Sequence, residues 1–579
     1  MSHATDPADL GAIEARRLID AKTLSPVEPA EACIARVAAV DHAVHALVVR
    51  DFDRVLVAAK AAEQAVGRGG DLPLLHGLPF GVKDMLDVAG LPTTFGSEAF
   101  RDNVAKTDST IVAQMKEAGA MPMGKTNNPE WSAGANTRNR VYGATANPYD
   151  LTRTCAGSSG GSAVGLACGY FPLATGSDTG GSLRNPAAYC GVVGFRPSPG
   201  VVPGDTRVAA LIPLPSSGPM ARNVADAALM LSVLAQPDRR DPYTTVIDGH
   251  TPWDAQAFAN LPRRDLSTLK IAATEDFGFA PTERIVREHF RKRLPQLAPH
   301  LGSVTEDAPD CTDADRIFSV LRAVQFLGIH AKLLDTKPDL VGPNVRDNVL
   351  EGRSYSAEDV AQAIFAQGRY YRDWQAFFDQ YDFLISPAVT ISPRPWREFY
   401  PTEIDGLPTK NYYQWLALAY ATTIAGHPSI TIPCGMDANS MPFGLQVVGK
   451  RHDDLGVLAV AAELEAVIAG TTGLAPQMAD IAALEAAPPL SFRAMKSSLP
   501  SPSKSPVPRM SQLLPRKPEK PLAGSAVPSI SQTETASVAL FRISRSLVPS
   551  PLKSSMAATD QLLSRVPRLL RSTTTEPSM

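Results

Sequence analysis

Two glycine- and serine-rich turns between residues 155 and 194 carry the residue types that acyl-transfer chemistry needs. They run over residues 157–161 and 178–182. Glycine lets successive backbone N–H groups converge on one point, because no Cβ blocks positive φ angles. A serine at the end of such a turn has hydrogen-bond donors beside it, as a nucleophile with an oxyanion hole requires. Ser182 is therefore a candidate nucleophile.

Two competing interpretations of these turns fit the residues poorly. A phosphate-binding loop would need a lysine after the glycines at the Walker spacing, and none stands there. A flexible linker would be polar throughout, whereas apolar residues lie between the turns: Val164, Leu166, Phe171 and Leu173. The turns are therefore expected in a packed part of the fold.

A third interpretation stays open at this point. Gly157, Ser159 and Gly161 match the G-x-S-x-G nucleophile elbow of α/β-hydrolases. That elbow requires an acid and then a histidine later in the chain, for example Asp382 and His427. Matches of this length are common by chance, and the elbow leaves the second turn without a role.

Lys83 and Ser182 also have ordinary structural interpretations. Most lysines are solvated, so the residues alone favour Lys83 as a surface lysine paired with Asp84 or Asp87. Ser182 could cap a helix that begins near Leu183. That role is compatible with chemistry, because a helix N-terminus also stabilises an oxyanion.

Helix and strand signals alternate along the part of the chain that holds these residues. Residues 8–66 are predicted to be helical, and 220–400 are more helical and more charged than the rest. Between them, extended segments at 74–82, 121–124 and 173–176 alternate with helices at 109–118 and 162–168. This alternation indicates an α/β fold, with a mixed, mostly parallel sheet flanked by helices on both faces.

The formal net charge of −3 averages two unlike parts of the 579 residues. Residues 491–579 hold 13 lysines and arginines against 4 acidic residues, with 19 serines and 12 prolines. The residues before them hold 43 basic and 55 acidic side chains. Disorder is expected where serine and proline are this frequent. We therefore predict one globular domain at 1–488 and a basic, disordered tail at 489–579.

Targeting and membrane signals are weak. The first ten residues lack the basic and apolar regions of a secretory signal. Two uncharged stretches, 154–177 and 412–436, are interpreted as buried core because glycine, serine, proline or polar residues interrupt both. Six scattered cysteines without a C-x-x-C pair suit a reducing compartment. The predicted location is the cytoplasm.

Residues 156–198 resemble the signature of the amidase signature family. They contain the runs AGSSGGS, GSDTGGSLRNPAAYCG and VGFRPS. Further segments are similar to family blocks and occur in the same order: GLPFGVKD (77–84), GKTNNPEW (124–131), YDFLISPAV (381–389) and GHPSITIPCG to MPFGLQVVG (426–449). The resemblance spans residues 8–475 and does not reach the tail.

The resemblance implies a Ser–cis-Ser–Lys catalytic set, and each member has a matching position. Ser182 matches the nucleophile, Ser158 the bridging serine that follows a cis peptide bond, and Lys83 the base. The implied oxyanion hole consists of the backbone N–H groups of Thr179, Gly180, Gly181 and Ser182. Ser132 lies where family members line the acyl pocket. Asp178 and Arg184 are expected to fix the loop as an ion pair.

This arrangement is chemically coherent. A serine hydroxyl is a weak nucleophile that needs a proton acceptor. A lysine accepts a proton only when neutral, so it must be buried enough to lower its pKa well below about 10.4. Phe80, Val82 and Met85 make burial of Lys83 plausible. Ser158 could then pass the proton of Ser182 to Lys83 and return it to the departing amine.

The implied activity is that of an amidase, a hydrolase of linear carbon–nitrogen bonds other than peptide bonds. It would convert a small aryl or alkyl carboxamide into a carboxylate and ammonia or an amine through a seryl acyl-enzyme. Aromatic residues in the variable region favour such a substrate over a highly charged one: Phe326, Tyr370, Tyr412 and Trp415. No metal or cofactor is implied, and neither nucleic acid nor a membrane is an expected partner. A homodimer is compatible with the sequence.

Two other functions remain open. The glutaminase subunit of a tRNA-dependent amidotransferase shares the signature but would need partner subunits. A catalytically silent amidase-like binding module is the other alternative, although the presence of Lys83, Ser158 and Ser182 argues against it.

Overall fold

A computed structural model of the protein describes residues 6–490, so the predicted tail lies outside the described residues except for its first two positions. Within the described range, eleven strands form one sheet. In chain order they are β1 (Leu47–Arg50), β2 (Pro79–Lys83), β3 (Met121–Thr126), β4 (Leu173–Asp178), β5 (Val193–Arg196), β6 (Ser216–Ala221), β7 (Lys270–Ala273), β8 (Ser303–Glu306), β9 (Phe383–Pro387), β10 (Ser429–Met436) and β11 (Pro442–Gly449).

The sheet is mixed, as predicted. Its strands lie in the spatial order β1, β3, β2, β4, β6, β5, β10, β11, β9, β7, β8. Parallel pairs join β3 with β2, β2 with β4, β9 with β7, and β7 with β8. The other six neighbouring pairs are antiparallel. The sheet is therefore less parallel than expected, because short connections such as residues 437–441 between β10 and β11 allow antiparallel neighbours without a crossover.

Helices cover the sheet. Those described are α1 (Ala12–Asp20), α2 (Val27–Val44), α3 (Phe52–Arg68), α4 (Thr110–Glu117), α5 (Gly160–Ala167), α6 (Arg184–Cys190), α7 (Val224–Leu234), α8 (Ala255–Ala259), α9 (Arg284–Leu297), α10 (Ala314–Thr336), α11 (Pro343–Ser354), α12 (Ala357–Phe378), α13 (Ala417–Ala425), α14 (Asp454–Gly470) and α15 (Ile481–Ala486). Three short two-stranded pairs complete the regular structure: Arg138–Asn139 with Gly143–Ala144, Ala146–Asn147 with Asp150–Thr154, and Glu403–Ile404 with Leu407–Pro408.

Strand β2 shows that helices pack on both faces of the sheet. Phe80 and Val82 join the apolar cluster that contains α7 and α14. Gly81, between them, faces Phe171 on the other side, where a Cβ would lie 2.3 Å from the ring. Because side chains alternate along a strand, Lys83 shares the face of Gly81 and points toward α5. This confirms the predicted layering of helices around the sheet.

The two glycine-rich turns meet the sheet at one edge. Strands β2 and β4 are parallel neighbours, so Lys83 and Asp178 both lie at carboxyl ends. The first turn leads directly into α5, and the second leads from β4 into α6. This topology brings Lys83 next to both turns, although about 75 to 100 residues separate them in the chain.

Helix α10 was not predicted as a separate element. It is the one helix in the described part of the chain that is long and apolar enough to cross a membrane by length and composition. It packs on α11, α12 and α13, and Ile317, Phe318 and Leu321 are buried in a core cluster with residues of α12 and α13. Packing on these helices accounts for its apolar composition.

Candidate active site

The Lys83 ammonium group lies within hydrogen-bond distance of three serine hydroxyls. Its Nζ is 2.7 Å from Ser158 Oγ, 3.0 Å from Ser159 Oγ and 2.9 Å from Ser177 Oγ. The backbone N–H of Lys83 donates to Thr175 Oγ1 at 2.9 Å, which fixes the end of β2 against β4. The lysine is thus held by hydroxyl groups from the first turn and from β4.

Burial changes the acid–base chemistry of Lys83. The side chain is 1% exposed. Loss of solvation lowers the pKa of Lys83 to about 7, although the Asp178 carboxylate opposes this shift. At neutral pH a large fraction of the amine is therefore unprotonated and able to accept a proton.

The surface interpretation of Lys83 is wrong for this reason. Asp84, one of its two expected partners, instead forms an ion pair with Lys125 Nζ at 3.1 Å, and both side chains of that pair are buried. Asp84 also accepts a hydrogen bond from the Thr94 hydroxyl at 2.6 Å. The lysine at position 83 is left with hydroxyl neighbours rather than a carboxylate.

The first turn places two serines beside Lys83. The peptide bond between Gly157 and Ser158 is cis, the geometry that the resemblance implied for this position. Ser158 is buried, and its Oγ is the atom nearest to Lys83 Nζ among the three hydroxyls. Ser159 lies at the beginning of α5, and its backbone N–H donates to the carbonyl of Ser182 at 3.3 Å. This bond ties the first turn to the second.

The second turn is organised around a buried carboxylate. Asp178 accepts hydrogen bonds from the backbone N–H groups of Gly181 at 2.7 Å and Leu183 at 3.2 Å. The Arg184 guanidinium binds the same carboxylate at 3.0 and 3.1 Å, and Arg196 approaches it as well. Burial alone would raise the pKa of Asp178, but the two guanidinium groups outweigh it and hold the pKa well below its usual range. The predicted ion pair of Asp178 with Arg184 is confirmed.

The backbone N–H groups of the second turn differ in their availability. That of Gly181 already donates to Asp178. Those of Thr179, Gly180 and Ser182 donate to no acceptor in the described part of the chain. Thr179 and Ser182 are only half-buried, so this side of the turn is open to a ligand. Within residues 6–490, three of the four predicted oxyanion donors are thus free.

Ser132 lies in a short turn that comes between β3 and the first glycine-rich turn. Trp131 and Ser132 both adopt positive φ angles, 51° and 54°. The Ser132 Oγ is buried and has no hydrogen-bond partner among the described residues. A few residues later, Thr137 donates to the carbonyl of Ala156 through its N–H at 3.1 Å and its hydroxyl at 2.8 Å. Ser132 is therefore in a segment anchored to the first turn.

The alternative set of Ser159, Asp382 and His427 is not assembled. His427 is buried, with Nδ1 2.8 Å from the carbonyl of Gly449 and Nε2 3.1 Å from the Gln375 amide. Burial lowers the pKa of His427 to about 3. Asp382 accepts from the backbone N–H of Lys270 at 2.9 Å, and Ser159 contacts Lys83. The nucleophile-elbow interpretation is wrong, because His427 is bound to Gly449 and Gln375 and does not contact Ser159.

Sequence reasoning gave Ser159 a different role and missed other residues around Lys83. Ser159 and Ser177 contact Nζ, and Thr175 receives the backbone N–H. Thr175 and Ser177 are two apart on β4, so strand alternation could have placed them on one face. Phe318 of α10 packs on Gly180, where a Cβ would lie 2.7 Å from the ring. No local signal connects positions 138 residues apart.

Other candidate chemistry is limited. Within residues 6–490, no group of three or more His, Cys, Asp or Glu side chains could hold a metal ion. The thiols of Cys155 and Cys190, close in sequence to the turns, are buried, and burial raises the pKa of Cys155 to about 12. A thiol with so high a pKa is a poor nucleophile.

A protein-family comparison identifies the chain. The family model described as Amidase matches residues 28–458. An acylamidase of Rhodococcus erythropolis is 34% identical over 464 residues, which cover 79% of this chain and 95% of that protein. A glutamyl-tRNA(Gln) amidotransferase subunit from Symbiobacterium thermophilum is 32% identical over 479 residues, which cover 78% of this chain and 95% of that protein.

Solved structures share the fold. The structure of a bacterial aryl acylamidase, described as an amidase signature enzyme, superposes with a TM-score of 0.72 and 27% identity. The match covers 79% of this chain and 96% of the aryl acylamidase. A 6-aminohexanoate cyclic dimer hydrolase solved with its substrate has a TM-score of 0.68 and 26% identity, covering 80% and 98%.

Proposed function

This chain belongs to the amidase signature family and is a carbon–nitrogen hydrolase, and we propose that it cleaves small aryl or alkyl carboxamides. The products are a carboxylate and ammonia or an amine. The acylamidase relative and the aryl acylamidase structure support this substrate class. Ser182 is the proposed nucleophile, Ser158 the proton relay and Lys83 the base.

The proposed reaction begins with attack of Ser182 Oγ on the carbonyl carbon of the amide. Ser158 takes the proton of Ser182 as it gives its own to neutral Lys83, and the proton then returns through Ser158 to the leaving nitrogen. The carbon–nitrogen bond breaks and leaves an ester on Ser182. Water, deprotonated through the same two side chains, hydrolyses that ester and regenerates the serine.

The developing oxyanion needs donors fixed before the reaction. We assign this role to the backbone N–H groups of Thr179, Gly180 and Ser182, and leave Gly181 to Asp178. The Asp178 carboxylate with Arg184 and Arg196 keeps the turn in place. Ser132, whose buried hydroxyl has no partner among the described residues, is the proposed contact for the acyl part of the substrate.

One observation carries this proposal. Lys83 is buried without a carboxylate partner in the described part of the chain, and its Nζ lies 2.7 Å from the hydroxyl of Ser158. A buried lysine surrounded by hydroxyl groups has no structural advantage over a neutral residue, because burial of the ammonium group is costly. A role as base explains why the amine is there.

The test is a panel of simple amides, from benzamide and acetanilide to butanamide, with release of ammonia or amine as the readout. The purified full chain is expected to hydrolyse at least one of them, and Ser182→Ala is expected to hydrolyse none. Absence of turnover across the panel by the folded wild-type protein would contradict the proposal.

A second function is supported by the amidotransferase relatives. In that case the chain would release ammonia from glutamine and deliver it within a complex. Glutamine hydrolysis that appears only after partner subunits are added, without turnover of simple amides by the chain alone, would favour this function over the first.

The proposed catalytic domain comprises residues 1–488, and the tail from 489 onward is proposed to have no catalytic role. The cytoplasm is the proposed location. The six cysteines, all buried and unpaired, support a reducing compartment.

A further inference from the structure

Helix α10 carries a buried arginine close to the second glycine-rich turn. Arg322 is 5% exposed and follows Phe318 by one helical turn. Phe318 is the residue whose ring packs on Gly180. The Arg322 guanidinium carbon lies 5.8 Å from the centre of the Phe318 ring. A guanidinium group is therefore held one side chain away from the proposed oxyanion donors.

Aromatic rings surround this guanidinium group. Its carbon lies 4.8 Å from the centre of the Phe326 ring and 5.5 Å from those of Tyr412 and Tyr413. Aromatic faces attract a cation and exclude water without neutralising its charge. They also form flat walls on which an aryl or alkyl group could lie. Two of these rings, Phe326 and Tyr412, are among the aromatics that favoured an aryl or alkyl substrate.

Arg322 forms no direct ion pair in the described part of the chain, although Glu351 lies close enough to act on its charge. The Glu351 carboxylate is occupied by the hydroxyl groups of Tyr355 at 2.8 Å and Tyr413 at 3.1 Å. Arg322 Nη2 donates to the Tyr412 hydroxyl at 2.5 Å. Its Nε is buried and has no hydrogen-bond partner among the described residues. An unpaired buried cation with an unused donor is costly unless a ligand supplies the acceptor.

Two routes of contacts connect Arg322 with residues 131–133, which include Ser132. Tyr412, bound to Arg322, also accepts from the Asn348 amide, which donates to the Asn344 carbonyl at 2.6 Å. Asn344 in turn donates to the carbonyl of Ala133 at 2.6 Å. On the second route, the Trp131 ring centre lies 4.7 Å from that of His330, which is 5.4 Å from Phe326.

Buried polar atoms without a partner among the described residues are concentrated along these two routes. They are Arg322 Nε, Asn348 Oδ1, Asn344 Oδ1, Ser132 Oγ and Trp131 Nε1. Nearly all buried polar groups in proteins find a partner, so several unpartnered atoms in one neighbourhood indicate that a polar ligand or a bound water completes their hydrogen bonding. Arg322 is the member of this group that carries a full charge.

We propose that Arg322 anchors a carboxylate group carried by the amide substrate, at the end opposite to the scissile bond. This inference rests on the proposed amidase function and changes the expected substrate: the aromatic residues favoured one without high charge, and Arg322 adds a single anionic group to it. The substrate body is apolar, aryl or alkyl, and lies against Phe318, Phe326 and Tyr412. Its far end is anionic and accepts a hydrogen bond from Arg322 Nε. The reacting carbonyl lies at Ser182.

The test compares acidic amides with neutral amides of the same length. Succinamate, glutaramate and adipamate are paired with butanamide, pentanamide and hexanamide, so that the series finds the matching chain length. For the matching length, wild-type kcat/KM is expected to favour the acidic member by about 10- to 100-fold, as a charge-assisted hydrogen bond provides. Arg322→Met is expected to remove that preference, mainly by raising KM for the acidic amide.

Arg316→Met is the matched control. Arg316 lies on the same helix and pairs with Asp359 at the surface, so the preference should be unchanged. A wild-type enzyme that prefers the neutral amides throughout would overturn the proposal. An Arg322→Met enzyme that loses activity equally on both members of each pair would also overturn it and would assign Arg322 a structural role.

A binding measurement separates this proposal from the proposed function. The melting temperatures of Ser182→Ala and of a double variant that also carries Arg322→Met are measured with each acidic and neutral amide. Suppose that the wild-type enzyme hydrolyses no amide, but acidic amides alone raise the melting temperature of Ser182→Ala and do not raise that of the double variant. The role of Arg322 as an anchor is then supported, and the proposed reaction is refuted. If acidic amides give no shift with Arg322 present, the anchor is refuted whatever the turnover.

Discussion

At the residue scale, the central feature is a lysine whose described neighbours are hydroxyl groups, with no carboxylate in contact. The three serine hydroxyls contact Nζ and do not carry a charge. A carboxylate in their place would favour the charged form of the lysine and raise its pKa. Asp178 acts on Lys83 from a distance, but two arginines bind its carboxylate. The neutral amine is therefore accessible near neutral pH.

Removal of the amine should abolish catalysis. Lys83→Met keeps the length of the side chain but removes the proton acceptor, and kcat/KM for the best amide is expected to fall about 10²- to 10⁴-fold. Steady-state kinetics with the melting temperature as a folding control checks this. Turnover within a few-fold of wild type would rule out Lys83 as the base.

The two adjacent serines should differ in effect. Ser158→Ala interrupts the proposed relay, whereas Ser159→Ala removes a hydroxyl that contacts Lys83 and the backbone of Ser177 but has no part in the relay. We expect a loss of kcat for Ser158→Ala that exceeds the loss for Ser159→Ala by about tenfold or more. If Ser159→Ala were the inactive variant, the relay would have been assigned to the wrong serine.

The pH dependence of kcat/KM should report the protonation state of Lys83. Because Lys83 must be neutral to accept a proton, log kcat/KM is expected to rise with a slope of one below its pKa of about 7 and to level off above it. Below this pKa Lys83 is protonated and cannot act as a base, so kcat/KM falls as the pH decreases. Measurement of kcat/KM from about pH 5 to 9 tests this. A profile that is flat across that range would mean that another group accepts the proton.

At the scale of elements, the second turn depends on a buried ion pair. Arg184 lies in the first turn of α6 and binds Asp178 together with Thr422 and Thr423 of α13 and Gln446 of β11. One side chain thus connects the turn to a helix and a strand that come more than 230 residues later. The positions of the oxyanion donors follow from this connection.

Breaking this pair should damage both stability and activity. Arg184→Met leaves Asp178 buried with less compensation, and the free energy of unfolding is expected to fall by about 3–5 kcal/mol. Chemical denaturation measures this. Arg353→Met is the control, since its pair with Asp335 is exposed and worth about 0–1 kcal/mol. Equal losses in the two variants would show that the pair does not stabilise the turn.

The candidate site residues carry stronger sequence signals than the elements around them. The glycine-rich turn has a local signature that makes Ser182 a candidate nucleophile, whereas Lys83 and Ser158 could be named only through the family resemblance. Strand β1 was absorbed into a predicted helical region, because four residues at 47–50 lie between two apolar helices. Arg322 and Phe318 could not be assigned, since their roles depend on packing between α10 and a turn about 140 residues earlier.

At the scale of the whole molecule, the last described residues pack against a helix near the N-terminus, α2. Helix α15 packs against α2, and Leu484 is 4% exposed. His42 Nε2 lies 2.9 Å from the Ala487 carbonyl, and the N–H of Leu490 donates to the His42 carbonyl at 2.9 Å. These contacts hold residues on both sides of the predicted domain boundary at 488 against α2, and the boundary itself stays a prediction.

Two truncations test this boundary. A chain that ends at residue 490 is expected to keep kcat/KM within about twofold of the full chain. A chain that ends at residue 479 lacks α15 and should lose about 2–3 kcal/mol of unfolding free energy, because Leu484 is no longer buried. If the longer truncated chain folds but does not turn over amides, residues beyond 490 contribute to catalysis.

The most direct test of the account identifies the atom that becomes acylated. The full chain is treated with a fluorophosphonate, and the modified residue is located by peptide mass spectrometry while amide turnover is followed in the same sample. The account predicts one phosphonyl group on Ser182, complete loss of turnover when labelling is complete, and strongly reduced labelling of Lys83→Met. Labelling of Ser159, or full inhibition with Ser182 unmodified, would contradict the assignment of Ser182 as the nucleophile.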